Sequence, residues 1–406
     1  MRILYFTQGF TPHDHRFLAS LAAREHEVFY LRLERRGRPL EDRALPPSVK
    51  MVHWAGGQGP FRWRDVPALL ASLRGVLRQV QPDVLHAGPM QTVAFLAALS
   101  GFQPLVSMSW GSDLLLDADR SRWYRWLTTY SLRHSRVLVG DCEAVRQKAA
   151  AFGFPPEKAF IFPWGIDLQR FSPGSPAEMQ AAQDFRARQG WQDAVVVLSL
   201  RSWEPVYGVD VAVGGFARAA QQDPRLRLLL LGGGSLAPHI HQLIQQYGLL
   251  DRVFLGGQVP QNDLARMVRC ADLYLSASHS DGSSVSLMEA LACGKPALVS
   301  AIPGNREWVT GAGQVGWLFA DGSEAALADG LLRAAQPATD LAAVGARARA
   351  LAEQRADWNL NFPVLLRAYE CALGHVGQTT PSPNPSPPTR GSAYGPSGEG
   401  EPESEL

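Results

Sequence analysis

Two acidic side chains and a turn rich in glycine and serine are the residues best suited to chemistry in this chain. The turn at 282–284 reads Gly-Ser-Ser, Asp281 precedes it, and Glu289 lies eight positions after Asp281 inside a helical pattern. Backbone N–H groups at the start of a helix, together with the positive end of the helix dipole, favour an anion and most often a phosphate. The two carboxylates could then hold hydroxyl groups of the same ligand. Each carboxylate alone has a simpler explanation, since acids near a helix N-terminus also complement the dipole.

A strand on each side must position this turn. An apolar run at 273–276 precedes it, and a second run at 297–300 follows a tight turn with the sequence Gly-Lys-Pro at 294–296. Strand-like runs alternate with helical patterns along almost the whole chain, which is typical of parallel sheets in α/β proteins. Ligands bind such sheets at the carboxyl ends of the strands, so we expect the turn to face a ligand cleft.

The chain is long enough for two domains, each with its own core. Its 406 residues exceed the size at which one core usually suffices. A linker at 167–176, containing Phe-Ser-Pro-Gly-Ser-Pro, separates two sets of predicted strands. The first set is 3–6, 28–33, 51–54, 84–87, 105–109, 137–140 and 159–162, and the second is 194–200, 227–231, 253–255, 273–276, 297–300 and 317–319. The predicted fold class is α/β, with two doubly wound, Rossmann-like domains that face each other across a cleft.

The segment from Asp281 to Pro296 resembles a signature of glycosyltransferase family 4, in which an acid and a glutamate are separated by seven residues. Members of that family have the GT-B fold. Their first acid contacts the sugar of a nucleotide-sugar donor, and their glutamate binds the ribose hydroxyls. The resemblance therefore implies that Asp281 contacts the sugar and Glu289 the ribose. This chain departs from the signature in having Asp for the usual first Glu, and Ser284 where glycine is common.

The resemblance implies further donor contacts in the C-terminal half. Arg201 ends the strand predicted at 194–200, where a cation could neutralise a diphosphate or simply be a solvated strand end. The family has an arginine at this point and usually a lysine six residues later, where this chain has Tyr207. A Gly-rich turn at 232–235 matches the family's turn beside the nucleotide, and Asn305 is either a ligand contact or part of a plain loop. The implied donor-binding residues are Arg201, Tyr207, Gly233, Gly282, Ser283, Ser284, Val285, Glu289 and Asn305.

The N-terminal half is expected to hold the acceptor. His13 and Arg16 follow the first predicted strand, and we expect them to contact a phosphate or the acceptor. Many family members have, at the position of Trp110, a histidine that contacts the donor sugar. The resemblance therefore implies that Asp113, together with His13, makes the polar contacts there. The predicted catalytic residues are Asp281, Asp113 and His13.

Two short patterns could suggest a metal, but each has a simpler interpretation. His13 and His15 are separated by one residue in a loop, a spacing that more often has no ligand role. Asp117 and Asp119 form an Asp-x-Asp motif like that of the other glycosyltransferase fold, GT-A, but acids are also common where a helix begins. We expect no metal, and no cofactor beyond the nucleotide-diphosphate sugar that serves as co-substrate.

With these assignments the chain divides into four segments. Residues 1–172 form the predicted acceptor-binding domain, and residues 173–354 form the predicted nucleotide-sugar-binding domain. Residues 355–375 form a helix that returns to the first domain, as the family's closing segment does. Residues 376–406 are rich in Pro, Ser, Gly and Glu, a composition that cannot bury a core and predicts disorder.

The composition limits the kinds of partner and the cellular location that we expect. The formal net charge of +1 gives no electrostatic reason to expect nucleic acid as a partner. The four cysteines show no paired spacing, which fits a reducing cytoplasm, and the N-terminus lacks the apolar core of a signal peptide. Basic and aromatic residues concentrate at 32–43, 61–78 and 120–136 in the N-terminal domain. These residues could contact the inner face of a membrane, or they could form solvated helix faces.

The predicted function is the transfer of a hexose or related sugar from a nucleotide-diphosphate sugar to a glycan, lipid or small-molecule acceptor. The resemblance implies retention of anomeric configuration without a metal. Arg201 and the turn at 282–284 would stabilise the leaving diphosphate, with no covalent protein nucleophile. One alternative is a catalytically silent nucleotide-sugar-binding or assembly protein, because Trp110 and Tyr207 replace a usual His and Lys. A sugar epimerase or phosphorylase of the same fold is another alternative.

Overall fold

The computed structural model describes residues 1–35, 41, 43–310 and 314–375, which form two parallel β-sheets with helices packed on them. The tail predicted at 376–406 lies outside the described residues, as does part of the basic segment at 32–43. The first sheet has the order β3-β2-β1-β4-β5-β6-β7 and the second has the order β10-β9-β8-β11-β12-β13. The strands of the first sheet are β1 (Arg2–Thr7), β2 (Glu27–Arg32), β3 (Lys50–Met51), β4 (Val84–Gly88), β5 (Leu105–Met108), β6 (Val137–Gly140) and β7 (Ala159–Ile161). The strands of the second sheet are β8 (Val195–Ser199), β9 (Leu226–Leu231), β10 (Val253–Gly257), β11 (Leu273–Ser276), β12 (Ala297–Ser300) and β13 (Gly316–Phe319).

Helices connect the strands in both halves of the chain. The helices of the first half are α1 (Pro12–Ala22), α2 (Val66–Val80), α3 (Phe95–Ser100), α4 (Ser112–Leu115), α5 (Arg122–Arg133) and α6 (Glu143–Ala151). Those that follow are α7 (Pro176–Arg188), α8 (Val209–Ala220), α9 (Ala237–Gln246), α10 (Gln261–Arg269), α11 (Val285–Ala292), α12 (Pro303–Val309), α13 (Glu324–Ala334), α14 (Leu341–Arg355), α15 (Trp358–Asn361) and α16 (Pro363–Leu373). No helix of the described residues combines the length and the apolar character needed to cross a bilayer.

Both faces of each sheet are buried, which explains why the strands are apolar at almost every position. In β1, Leu4 and Phe6 enter one core of the first half, while Ile3 and Tyr5 enter the core on the opposite face. The strands of the second sheet divide between two cores in the same way. The predicted fold class, two doubly wound Rossmann-like sheets, is therefore confirmed.

Each predicted strand is present, and only the third differs in extent by more than two residues at one end. The strand expected at 51–54 is reduced to β3, an edge strand that pairs with β2 alone. Beyond it the chain turns, because the Trp54 indole N–H donates to the Arg32 carbonyl oxygen at 2.8 Å. The Trp54 ring also meets Phe6 edge-on, with ring centroids 5.3 Å apart. Side-chain packing beneath the sheet edge thus overrides the extended pattern of this segment.

The order of each sheet reverses next to its first strand, β1 in one half and β8 in the other. The carboxyl ends at such reversals form the crevice where ligands bind. At the end of β1 the chain enters α1, whose start is fixed by a capping box between Thr11 and Asp14, with Pro12 in the first turn.

The C-terminal segment returns to the first half. Helix α16 packs against β4, β5, β6 and β7, and Tyr369 in α16 is 2.6 Å from His86 Nδ1 in the buried core. His86 is therefore a core residue. The chain passes between the halves at two adjacent places, since Ile166 and Asp357 form an isolated parallel bridge. The Trp358 N–H donates to the Ile166 carbonyl at 3.1 Å, and the Ile166 N–H donates to the Ala356 carbonyl at 2.7 Å.

Candidate functional site

A cavity of about 1400 Å³ lies between the carboxyl ends of the two sheets. Most of the predicted site residues line it, although they come from segments far apart in the sequence. Those that line it are His13, Asp113, Arg201, Tyr207, Asp281, Ser283, Ser284, Val285 and Glu289, and those that do not are Gly233, Gly282 and Asn305. The cavity is therefore the candidate functional site.

Arg201, just beyond β8, is the central cation of this site. Its Nη2 lies 2.6 Å from Asp281 Oδ2, and its Nη1 donates to the hydroxyls of Ser284 at 2.7 Å and Ser286 at 2.9 Å. The guanidinium stacks over the Tyr207 ring at 4.1 Å from the ring centroid. Its Nε–H is buried and has no hydrogen-bond acceptor among the described residues. The Nε–H of Arg201 is therefore a donor that a ligand could use.

The charge of Arg201 is maintained by its acidic neighbour. Burial disfavours the charged guanidinium, but the Asp281 carboxylate and two tyrosines more than offset this, so the pKa of Arg201 rises above its ordinary value. Burial raises the pKa of Asp281, and Arg201 opposes that rise. An anionic ligand at Arg201 would compete with Asp281 for the same guanidinium.

Asp141 holds the turn at 282–284 from the first half of the molecule. It follows β6, and its Oδ2 accepts a hydrogen bond from the Ser283 N–H at 2.8 Å, while the Ser283 hydroxyl donates to the Asp141 carbonyl at 2.7 Å. The backbone N–H that the sequence suggested for a phosphate is therefore already bonded to a carboxylate. Burial, and secondarily the charge of Asp281, raises the pKa of Asp141 to about 7.

The approach of Asp141 depends on glycine in the turn. A Cβ at Gly282 would overlap the Asp141 carboxylate. Gly111 packs against the same turn, since a Cβ at this position, where φ is +92°, would lie 2.9 Å from the Gly282 nitrogen. Asp141 was missed in the sequence, although an acid directly after a predicted buried strand, at the carboxyl edge of the sheet, is the signal that could have found it.

Glu289 lies in the first two turns of α11 and is only 5% exposed. Burial raises its pKa to about 7, against the charges of Arg16 and Arg201. Arg16 faces it from α1, with its Nη1 donating to the Gly165 carbonyl at 2.6 Å and its guanidinium 4.3 Å from the Trp358 ring centroid. The pKa of Arg16 is lowered by burial to about 10, so it remains a cation at neutral pH.

The two predicted catalytic residues of the first half have different surroundings. Burial, followed by the charges of Arg16 and Arg201, lowers the pKa of His13 to about 3, so its imidazole is neutral. Asp113 holds the chain around it in place. Its carboxylate accepts hydrogen bonds from the Ser109 hydroxyl and from the backbone N–H groups of Met90, Trp110 and Leu114, at 2.7 to 3.0 Å. Its catalytic role stays a prediction.

Several other residues that the sequence singled out form hydrogen bonds or ion pairs with their neighbours. The Asn305 amide, 1% exposed, donates to the Ser300 carbonyl at 2.9 Å. The Gly233 carbonyl accepts from the Trp203 N–H at 3.0 Å. In the Asp-x-Asp segment, Asp117 lines the cavity, whereas Asp119 is ion-paired with Arg125 and Lys148. Among the residues with a described position, no group of three or more His, Cys, Asp or Glu side chains has a metal-binding arrangement.

Two family models match the chain, one in each half. Residues 10–170 match Glycosyltransferase Family 4, and residues 182–350 match Glycosyl transferases group 1. The chain belongs to glycosyltransferase family 4. The two matched ranges carry most of the residues that line the cavity.

Curated relatives match the family 4 chain over part of its length. It is 30% identical over 247 residues to the D-inositol 3-phosphate glycosyltransferase of Geodermatophilus obscurus, a match that covers 58% of this chain and 52% of the relative. It is also 30% identical over 185 residues to the mannosylfructose-phosphate synthase of Agrobacterium fabrum, covering 42% and 40% of the two chains. The family 4 chain thus spans about half the length of the curated relatives it matches.

Solved structures share the GT-B fold with the family 4 chain. Anabaena HepE, crystallised with UDP, superposes with a TM-score of 0.72 at 20% identity, over 90% of this chain and 99% of HepE. Sucrose-phosphate synthase of Thermosynechococcus elongatus gives a TM-score of 0.74 at 18% identity, over 93% and 100% of the two chains. At such identities the likeness shows the fold alone.

Proposed function

We propose that this chain is a glycosyltransferase that moves a sugar from a nucleoside-diphosphate sugar to a hydroxyl group of an acceptor. The observation that carries the proposal is the convergence of Arg201, Asp281 and Glu289 in one cavity between the two sheets. A guanidinium suits a diphosphate, and carboxylates suit the hydroxyls of a sugar and a ribose. The family membership of both halves supports the same reaction class.

In this proposal the Arg201–Asp281 pair exchanges partners when the donor binds. The donor diphosphate takes the free Nε–H of Arg201 and draws the guanidinium away from Asp281. Asp281, released from the ion pair, then accepts a hydrogen bond from a hydroxyl of the transferred sugar. Arg201 stabilises the negative charge that develops on the leaving diphosphate, which is the usual main source of rate in such sites.

Glu289 binds the ribose, and Arg16 opposes the rise in its pKa that burial causes. A carboxylate that is nearly fully buried needs a cation or hydroxyl donors to remain charged. Arg16 faces Glu289 from the first half, and ribose hydroxyls supply the donors when the nucleotide is bound. His13, as a neutral imidazole, can donate one hydrogen bond to the acceptor or to a phosphate oxygen without adding charge.

The further properties of the reaction follow from the resemblance to family 4. We propose transfer of a hexose with retention, without a metal, to a glycan, lipid or small-molecule acceptor. UDP-glucose is the first donor to try, because HepE, which shares the fold, has been crystallised with UDP-glucose. The test is release of UDP from UDP-glucose and other UDP-hexoses in the presence of a metal chelator, with slow hydrolysis counted as turnover.

Release of UDP that is lost in Arg201→Ala would support the enzyme. Binding of several nucleotide sugars without any release would instead favour the silent nucleotide-sugar-binding protein. Loss of release on chelation would contradict metal independence. The anomeric configuration of the product, read by NMR, tests retention.

A further inference from the structure

A cluster of exposed tryptophans lies on the first half of the molecule, outside the cavity. Trp123 and Trp126 of α5 stack with ring centroids 5.0 Å apart, and Trp63 meets Trp123 edge-on at 5.7 Å. Trp63 is 39% exposed, Trp123 49% and Trp126 47%. We call these three residues the tryptophan cluster. A contiguous exposed apolar surface of this kind usually marks a contact with a partner or a membrane.

The two segments that carry the tryptophan cluster are rich in arginine. Segment 120–136 contains five arginines and no acid, and segment 61–80 contains four arginines and one aspartate. No ion pair joins Arg62, Arg122 or Arg133 to another residue within the described part of the chain. Arg122, Trp126 and Arg133 are spaced by four and seven residues on α5, so they lie on one helix face. The surface therefore combines indole rings with uncompensated positive charge.

Short stretches of chain connect the tryptophan cluster to residues that line the first-half part of the cavity. On one side, the Phe61 N–H donates to Glu34 Oε2 at 3.1 Å, and Glu34 lines the cavity. On the other side, Asp117 lines the cavity, and the turn Asp117–Asp119 leads directly into α5. A surface bound at the tryptophan cluster would therefore contact segments that are joined to the cavity wall by only a few residues.

We propose that the tryptophan cluster docks this protein on a bilayer that contains anionic lipids. Indole rings are amphipathic and favour the interface between lipid headgroups and acyl chains. Arginines pair with lipid phosphates, and each basic residue near an anionic surface adds attraction. A second copy is the poorer occupant, because a symmetric contact through this surface would place the same arginines opposite one another. The positive charge around the tryptophan cluster therefore favours an anionic lipid surface over a second copy of the chain.

Sedimentation of the full chain with vesicles tests this proposal. Vesicles of equal parts phosphatidylglycerol and phosphatidylcholine are compared with vesicles of phosphatidylcholine alone. We expect binding to the anionic vesicles that weakens as salt is raised. The double substitution Trp123→Ser/Trp126→Ser should weaken this binding at least ~10-fold through loss of buried apolar area. Arg122→Gln/Arg133→Gln should weaken it and flatten its salt dependence.

The matched control is Tyr247→Ser/Leu250→Ser, which removes two exposed apolar side chains from the second half and should bind as the wild type does. The proposal is overturned if the wild type ignores anionic vesicles, binds neutral ones equally well, or binds no better than the tryptophan variant. Dimerisation that the tryptophan substitutions abolish, without vesicle binding, would assign the surface to a second copy. Circular dichroism verifies that each variant is folded. Since the vesicles carry no sugar donor, the result is independent of the proposed enzymatic function.

Discussion

The Ser283 N–H donates a 2.8 Å hydrogen bond to Asp141 Oδ2, although the two residues are 142 positions apart in the chain. This bond joins the turn at 282–284 in the second half to the carboxyl end of β6 in the first. Glu307 of α12 adds a second link, because its carboxylate accepts from the Glu143 and Ala144 N–H groups at 3.0 and 2.9 Å. The cavity therefore lies between halves that hold each other through carboxylates and backbone N–H groups.

Gly282→Ala should destabilise the folded chain, because the new Cβ would overlap the Asp141 carboxylate. We expect the free energy of unfolding to fall by about 1–3 kcal/mol, measured by urea denaturation. In an Asp141→Ala background the same change should cost less, by at least ~0.5 kcal/mol. Gly233→Ala is the control, because no atom lies within 4 Å of the added Cβ. Equal costs in the two backgrounds would show that the overlap is relieved elsewhere.

Arg201→Ala should weaken UDP binding at least ~10-fold, because charge-assisted hydrogen bonds to the diphosphate are lost. Uridine, which has no phosphate, should bind both proteins with similar affinity. Isothermal titration calorimetry of the two ligands makes the comparison. Arg218→Ala is the control, since Arg218 is an exposed partner of Glu324 at 3.0 Å. An equal loss of affinity for uridine and for UDP would show that Arg201 does not bind the diphosphate.

Glu289→Gln should abolish the preference of the protein for UDP over 2′-deoxy-UDP. In the wild type, loss of the 2′-hydroxyl should cost roughly tenfold in affinity, because the carboxylate loses a charged hydrogen bond. Once the carboxylate is replaced, the two nucleotides should bind almost equally. Glu353→Gln, which changes an exposed carboxylate of α14, should keep the wild-type preference. A preference that survives Glu289→Gln places the ribose elsewhere.

The free energy of unfolding should depend on pH through the ionisation of Glu289. Its pKa rises from an ordinary value of 4.5 to about 7 on folding, so between these values the folded state binds more protons than the unfolded state. The free energy of unfolding therefore falls as pH rises through this window, by about 3 kcal/mol from this group. Glu289→Gln should become increasingly more stable than the wild type from pH 4.5 to pH 7. Urea denaturation across this range checks it, and a difference that shrinks with rising pH would contradict the buried carboxylate.

The fold could be predicted because alternating strands and helices leave a clear pattern in the chain. Runs such as 195–199 and 273–276 are apolar at nearly every position, since they are covered on both faces. The end of β3 could not be predicted, because it depends on where Trp54 packs under the sheet edge.

The candidate site could be predicted only where its residues follow each other closely. Asp281 and Glu289 belong to one turn and helix, and both line the cavity. Asp141 enters the same site through a contact between halves, which no local spacing encodes. Asn305 follows β12 at the edge where ligands bind, but its amide bonds the Ser300 carbonyl instead. Which way a side chain turns at a strand end is decided by its neighbours in space.

The chain crosses between the two halves at Ile166 and at Asp357, which form a bridge with each other, and we expect any rotation of the halves to pivot there. Because the two crossing segments are hydrogen-bonded to each other, they would bend together. A rotation about them would widen the cavity at the side farthest from the crossings. Asp141 and Ser283 are hydrogen-bonded across the two halves, so the distance between them would increase as the halves rotate apart. Probes placed on the two halves could follow this separation while a nucleotide enters and leaves.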